Sequence, residues 1–361
     1  HMTTKKFSLQ RPQIDRNISL LIEQLYSAEG RYLIVADENW ILVNWRDIAA
    51  TCKSNLSLIS NRYDIVQQAQ GAGLVSIFND FDFNDFEPKA YDGILFRVSK
   101  ERASSHHVIN EASRLLKPQG LLLLSGEKND GLKTYVKKTC DLFGDRTAAK
   151  KHGNNYLARV RLHRSDSALL DHNSYDVIRP VKALSNLSFS SKPGIFGWDK
   201  IDRGSAFLVE HLPIFLSRFD QPPKSLLDLG CGYGYLSFHA NQNGINKITA
   251  TDNNAAAILA AKANLKPIIK ECEVIPSDAG DTVEGNFDTI WCNPPFHQGF
   301  AIDEDMSAKF LKATKRLLAP EGHALFVVNT FIPLEKKALK YFRSVQALAN
   351  NGSFKLIALR N

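Results

Sequence analysis

Asn293-Pro294-Pro295-Phe296 places a side-chain amide, constrained main-chain carbonyls and an aromatic ring within four residues. That set suits alkylation of an exocyclic amine on a nucleobase. Such an amine is a poor nucleophile, because its lone pair is delocalised into the ring. Acceptors that hold the NH2 group localise the lone pair and aim it at a methyl donor. The side-chain carbonyl of Asn293 and the main-chain carbonyl of Pro294 are acceptors of this kind, and the prolines fix their directions. They answer the charge that develops as the N–H bonds become acidic, which is preorganised electrostatics rather than proton abstraction by a strong base. Phe296 offers an apolar face on which an unstacked base can rest. A strand-ending turn is the plainer account of the same four residues, so the weight falls on what precedes them.

What precedes them is Asp228-Leu229-Gly230-Cys231-Gly232-Tyr233-Gly234, between a short apolar strand, Ser225–Leu229, and a helix start at Tyr235-Leu236-Ser237-Phe238. A side chain at those glycines would keep a ligand away from the backbone. A second strand, 247–251, ends in Asp252, where a carboxylate can accept both hydroxyls of a ribose. This much fits NAD and S-adenosylmethionine alike. Three features favour S-adenosylmethionine. Asp228 stands two positions before the first glycine of a triplet that is not G-x-G-x-x-G. Asp278 falls near the end of a third strand, where an adenine amine would sit. The proline turn then follows the strand 288–292. Cys231, Asn253 and Ala279 complete the candidate cofactor residues, with Asn293 itself at the junction of both sets.

The elements that position these residues occur twice. Tyr91-Asp92-Gly93-Ile94-Leu95-Phe96 and Phe287-Asp288-Thr289-Ile290-Trp291-Cys292 each lead into a helical stretch, a Leu-Leu-x-Pro-x-Gly turn and a further apolar strand. A Lys-rich amphipathic stretch follows each, at 132–143 and 334–342. Two related α/β halves account for this. In the first half the strand 32–36 runs into Asp37-Glu38-Asn39-Trp40 without a glycine, so the scaffold is present and the ligand loop is not. Residues 166–200, with little periodicity, read as the connection, and 205–219 as one helix before the second half. The domains are expected at 1–185 and 186–361.

The 361 residues carry 45 Lys and Arg against 38 Asp and Glu, a net charge of +7, with 44% hydrophobic content. That composition excludes a disordered chain. The longest apolar runs fall far short of the ~20 residues a bilayer crossing needs, and the first residues show no apolar signal segment. A soluble, cytoplasmic, monomeric protein with no membrane partner is expected. The five cysteines are odd in number and form no C-x-x-C pair, so neither a metal site nor a disulfide framework is expected. The charge is uneven, since Lys128 to Arg164 holds ten Lys and Arg against three Asp. That cluster suits a polyanion gripped through its phosphates, with Lys137, Lys138, Lys150 and Lys151 as candidates; a solvated helix face beside a basic edge strand is the plainer account.

The glycine loop, Asp252, Asp278 and Asn293-Pro294-Pro295-Phe296-His297 together resemble class I S-adenosylmethionine-dependent methyltransferases acting on amino groups. More narrowly, the chain is similar to ribosomal RNA guanine-N2 methyltransferases of the RsmC/RlmG type. The lead-in Pro193-Gly194-Ile195-Phe196, with Asp199, Asp202 and Gly204, is also similar to that family's entrance segment, apart from Gly197-Trp198. The resemblance covers about 190–361 by motif and 1–185 by architecture. It implies an α/β fold of two tandem Rossmann-like methyltransferase domains, the N-terminal one degenerate and serving as scaffold or RNA-binding domain. It implies Gly230 and Gly232 against the methionine, Asp252 on the ribose, Asp278 on the adenine amine, Asn293 and Pro294 on guanine N2 and Phe296 stacked on the guanine. Pro295 and His297 are candidate substrate contacts. The implied substrate is rRNA or the 30S subunit, 16S ahead of 23S. Three other outcomes stay open: a protein glutamine amide, adenine N6 of DNA, and a non-catalytic RNA-binding assembly factor on a dead methyltransferase fold.

Overall fold

The computed structural model describes residues 13–52, 55–181, 188–295 and 300–361. In the first half the apolar runs form β1 (Arg31–Ala36), β2 (Asn55–Ser60), β3 (Val75–Phe78), β4 (Tyr91–Arg97), β5 (Leu116–Glu127), β6 (Lys150–His152) and β7 (Asn155–Arg161). They make one sheet of order β3-β2-β1-β4-β5-β7-β6, parallel through β5 and closed by an antiparallel hairpin. A short ribbon, β8 (Arg179–Pro180) with β9 (Ser190–Ser191), lies in the connection. The second half repeats the plan with β10 (Ser225–Leu229), β11 (Lys247–Asp252), β12 (Glu271–Pro276), β13 (Phe287–Cys292), β14 (Leu318–Asn329), β15 (Ser344–Asn350) and β16 (Phe354–Arg360). Its order, β12-β11-β10-β13-β14-β16-β15, is that of the first sheet. Both halves are thus Rossmann-like α/β sheets flanked by helices.

Parallel strands covered on both faces must be apolar nearly throughout. Leu226, Leu227 and Leu229 of β10 and Ile290, Trp291 and Cys292 of β13 are all buried. By contacts the chain divides into two compact units, one holding 14–200 together with 253–260, the other holding 201–252 and 261–361. Among the described residues no helix is long and apolar enough to cross a membrane.

Strand register shows which residues of the first half stand where the second half has its glycine loop and its proline turn. Tyr32 pairs with Leu56 and Gly93, as Leu226 pairs with Ile248 and Thr289. Aligned on those pairs, Ala36 stands at the position of Gly230, Glu38 at Gly232, Ser60 at Asp252 and Arg97 at Asn293. Arg97 is buried, with Nε 2.8 Å from Asp15 Oδ2 and a terminal nitrogen 2.7 Å from Asp130 Oδ2. The first half therefore keeps a structural ion-pair hub where the second keeps its amide.

Two sequence expectations change in detail. The single helix expected over 205–219 is two, Arg203–Glu210 and Leu212–Leu216. Pro213 has no N–H to carry the first ladder onward. The connection is also less loose than its composition implied. Tyr175 donates its hydroxyl to Asp80 at 2.6 Å, and Lys192, buried to 1% exposure, pairs with the same carboxylate.

Candidate active site

In the second sheet the chain runs outward from β10 through β11 to β12, then crosses to β13 on the other side of β10. Strand order reverses there, and in open α/β sheets the crevice outside the carboxyl ends of two such strands is where ligands bind. Gly230 follows the end of β10 and Asn293 follows the end of β13, so the loop and the proline turn border one crevice.

The loop is held by the end of β11. The N–H groups of Gly230 and Cys231 both donate to the Thr251 carbonyl at 2.9 Å, and Gly232 N–H donates to Asp252 Oδ2 at 2.9 Å. Gly230, Gly232 and Gly234 have φ of 81°, 54° and 101°, a region that side chains strain to occupy. Among the described residues a Cβ on Gly232 would meet nothing within 4 Å, and one on Gly230 would meet only the Asn293 main-chain carbonyl oxygen, at 3.9 Å. Among the described residues the space above these glycines is open, with the Asn293 carbonyl at its border.

Asp228, in β10, ties the strand to the helix Tyr235–Gln242. Its Oδ2 accepts the Ser237 hydroxyl at 2.6 Å and the Ser237 N–H at 3.1 Å. Its Oδ1 is buried with no donor among the described residues. Burial pushes the carboxyl up to about 7, against the two Ser237 hydrogen bonds that hold it down, and the charge of Asp252 raises it further. Cys231 and Cys292 are buried as well, and burial pushes both thiols well above the ordinary value. Neither supplies a nucleophile, so the arrangement offers acceptors and an open cradle rather than covalent catalysis.

Asn293 is half-buried, Pro294 buried and Pro295 half-buried. The Asn293 amide nitrogen donates to Asp202 Oδ2 at 2.6 Å and to Ser205 Oγ at 2.9 Å. The end of β12 is tied to β11 through Thr251 Oγ1 and Ser277 Oγ, 2.5 Å apart. Asp278 follows it, its Oδ2 3.1 Å from Lys309 Nζ, and Ala279 is left-handed at φ 48°. Asn253 directly follows Asp252, whose Oδ2 holds the Gly232 N–H. Phe296 and His297 lie outside the described residues. Asp202 was visible in the sequence only as part of the entrance segment, and Ser205 only as a helix residue.

The basic stretch is divided by its own strands. Lys151 pairs with Tyr156, and Lys150 with Leu157. Neighbouring strand residues point to opposite faces and paired residues share one. Lys133 Nζ sits 5.1 Å over the Tyr156 ring, which puts Lys133, Lys151 and, one helical turn on, Lys137 on one side. Lys150 shares the other face with Arg159 and Arg161. Lys138 is half-buried.

Comparison with known proteins gives a consistent picture. The family model described as methyltransferase small domain matches residues 186–358. Ribosomal RNA small subunit methyltransferase C of Shewanella loihica is 26% identical over 275 residues, covering 75% of this chain and 78% of its own. The protein of that name from Pseudoalteromonas atlantica is 25% identical over 359 residues, covering 93% of this chain and 100% of its own. Among solved structures, the T. thermophilus 16S rRNA N2 methyltransferase RsmC, in complex with AdoMet and guanosine, is similar with a TM-score of 0.78 at 23% identity. That match covers 96% of this chain and 92% of the other, and the two share a fold across both halves.

Proposed function

We propose that this chain, whose residues 186–358 match the methyltransferase small domain, transfers the methyl group of S-adenosylmethionine to the exocyclic N2 of a guanine in 16S ribosomal RNA. The observation that carries the reading is the proximity of two loops with complementary tasks. The glycine cradle after β10 and the Asn293 turn after β13 meet at 3.9 Å, measured from a Cβ position on Gly230 to the Asn293 oxygen.

The residues present fit the cofactor. The open cradle over Gly230 and Gly232 leaves room for its methionine part. Asp228, with a buried oxygen that has no donor among the described residues, favours a cation nearby. Asp252 at the end of β11 suits a ribose, and Asp278 after β12 suits the adenine amine once its bond to Lys309 is shared. When bound, the cofactor supplies a sulfonium-activated methyl group, which the guanine N2 lone pair takes as the carbon–sulfur bond breaks. Asn293 Oδ1 and the Pro294 carbonyl hold the NH2 group, so the lone pair leaves conjugation with the ring. Phe296 stacks on the guanine. The methylated amine then gives its surplus proton to solvent, and no strong base is required.

The first half, with Arg97 in place of the amide, contributes grip rather than chemistry. Its Lys133, Lys137 and Lys151 side meets RNA phosphates. A cytoplasmic location follows from the substrate, and a single chain supplies both halves, so a monomer suffices. The reading is tested by incubating the purified protein with tritiated S-adenosylmethionine and a mixture of 30S particles, 50S particles and DNA. Label is expected in 16S rRNA. Label in 23S rRNA, DNA or a protein would move the acceptor to that class. Cofactor binding without transfer to any of them would leave an assembly factor.

A further inference from the structure

We propose that Asp202 and Ser205 are positioning residues for the methyl transfer, locking the Asn293 amide with its carbonyl oxygen toward the guanine amine. This rests on the function proposed above. A carboxylate can only accept, so the side of the amide that faces Asp202 must be its NH2. The two acceptors lie 2.6 Å and 2.9 Å from Nδ2 and use both of its hydrogens. A flipped amide would instead set its oxygen against the carboxylate and lose that bond. The Ser205 hydroxyl, which can donate as well as accept, tolerates either orientation, so Asp202 sets the direction and Ser205 adds a second anchor. The planar group is thereby fixed with Oδ1 directed away from Asp202. A hydrogen bond to a charged acceptor also polarises the amide and increases the negative charge on Oδ1, which strengthens its hold on an N–H that is becoming acidic.

The positioning pair is itself rigid. Asp202 caps the helix Arg203–Glu210, its Oδ2 accepting the Ser205 N–H at 2.8 Å. The positive end of that helix favours the ionised carboxylate. Gly204 leaves no slack between them. A Cβ there would lie 3.1 Å from Asp202 Oδ2, 3.2 Å from Phe354 Cε1 and 3.4 Å from Asn293 Nδ2.

Three substitutions separate orientation from folding. Asp202→Ser keeps a capping oxygen for the helix and removes the carboxylate. Its kcat on 30S particles is expected to fall about 100-fold, with Kd for S-adenosylmethionine and the unfolding midpoint unchanged. Its RNA binding is also expected to stop distinguishing guanine from hypoxanthine, which lacks the amine. Ser205→Ala removes the second acceptor while leaving the backbone cap, and is expected to lose about tenfold in kcat with the same signature. Gly204→Ala adds a better helix former yet presses into the cluster, so kcat is expected to fall while stability holds. If the folded variants keep wild-type kcat and wild-type discrimination, the positioning role is wrong. If the wild-type protein itself fails to distinguish guanine from hypoxanthine, it is the guanine reading that falls.

Discussion

Ser237 spends both its hydroxyl and its N–H on one oxygen of Asp228, at 2.6 Å and 3.1 Å, and the other oxygen stays buried without a donor among the described residues. The result is a carboxyl pushed up to about 7 by burial. A carboxyl raised on folding stabilises the protein fully below its ordinary value near 4, and that contribution is lost as pH rises through 7. The cofactor-free protein is therefore expected to lose stability between pH 4 and pH 7, with Asp228→Asn flattening that part of the profile. The change is on the order of a few kcal/mol, read by denaturant unfolding across pH. A cationic ligand favours the ionised form, so S-adenosylmethionine binding near pH 6.5 is expected to release a proton. Calorimetry in two buffers of different ionisation enthalpy would detect it in the wild type and not in Asp228→Asn.

Gly230 adopts φ 81°, and among the described residues only the Asn293 main-chain oxygen lies near its Cβ position. Ala at 230 costs roughly 1–2 kcal/mol of backbone strain and places a methyl group in the cradle. Cofactor affinity is expected to fall by more than that strain explains. An unchanged Kd in Gly230→Ala would mean the ligand does not approach this loop.

Arg97 bonds Asp15 and Asp130 from a buried position, and removing it strands two carboxylates. Arg97→Met is expected to cost roughly 3–5 kcal/mol in denaturant unfolding. The folded fraction should still bind S-adenosylmethionine with wild-type affinity, because the donor site is untouched.

Sheet alternation gives the lysines separate fates. Charge reversal at Lys137 and Lys151 is expected to weaken RNA binding. The slope of log affinity against log salt should become shallower by roughly 0.7–0.9 for every phosphate no longer neutralised. Reversal at Lys150 should change it little. The opposite ranking would move the RNA to the Arg159 and Arg161 face.

Much of this was legible in the sequence because its causes are local. Parallel strands buried on both sides must be apolar, so β10 and β13 declared themselves. A glycine triplet between a strand and a helix marks a turn in the positive-φ region, so the loop's backbone did too. The break at Pro213 was equally local and could have been read there. Other features depend on register or on chain segments far apart in sequence. Nothing near Asn293 announces Asp202, 91 residues away, because that bond exists only once the helix at 203–210 is seated. Lys150 and Lys151 look like one basic pair until their strand partners separate them. Arg97 reads as another cation until its pairing register places it at the position of Asn293.

The most direct measurement is nucleoside mass spectrometry of 16S rRNA after incubating 30S particles, purified from a strain lacking the gene, with the protein and methyl-labelled S-adenosylmethionine. Labelled N2-methylguanosine is expected with the wild type and none with Asn293→Ala, although that variant still binds the cofactor. Label on any other nucleoside, or full activity in Asn293→Ala, would contradict the account.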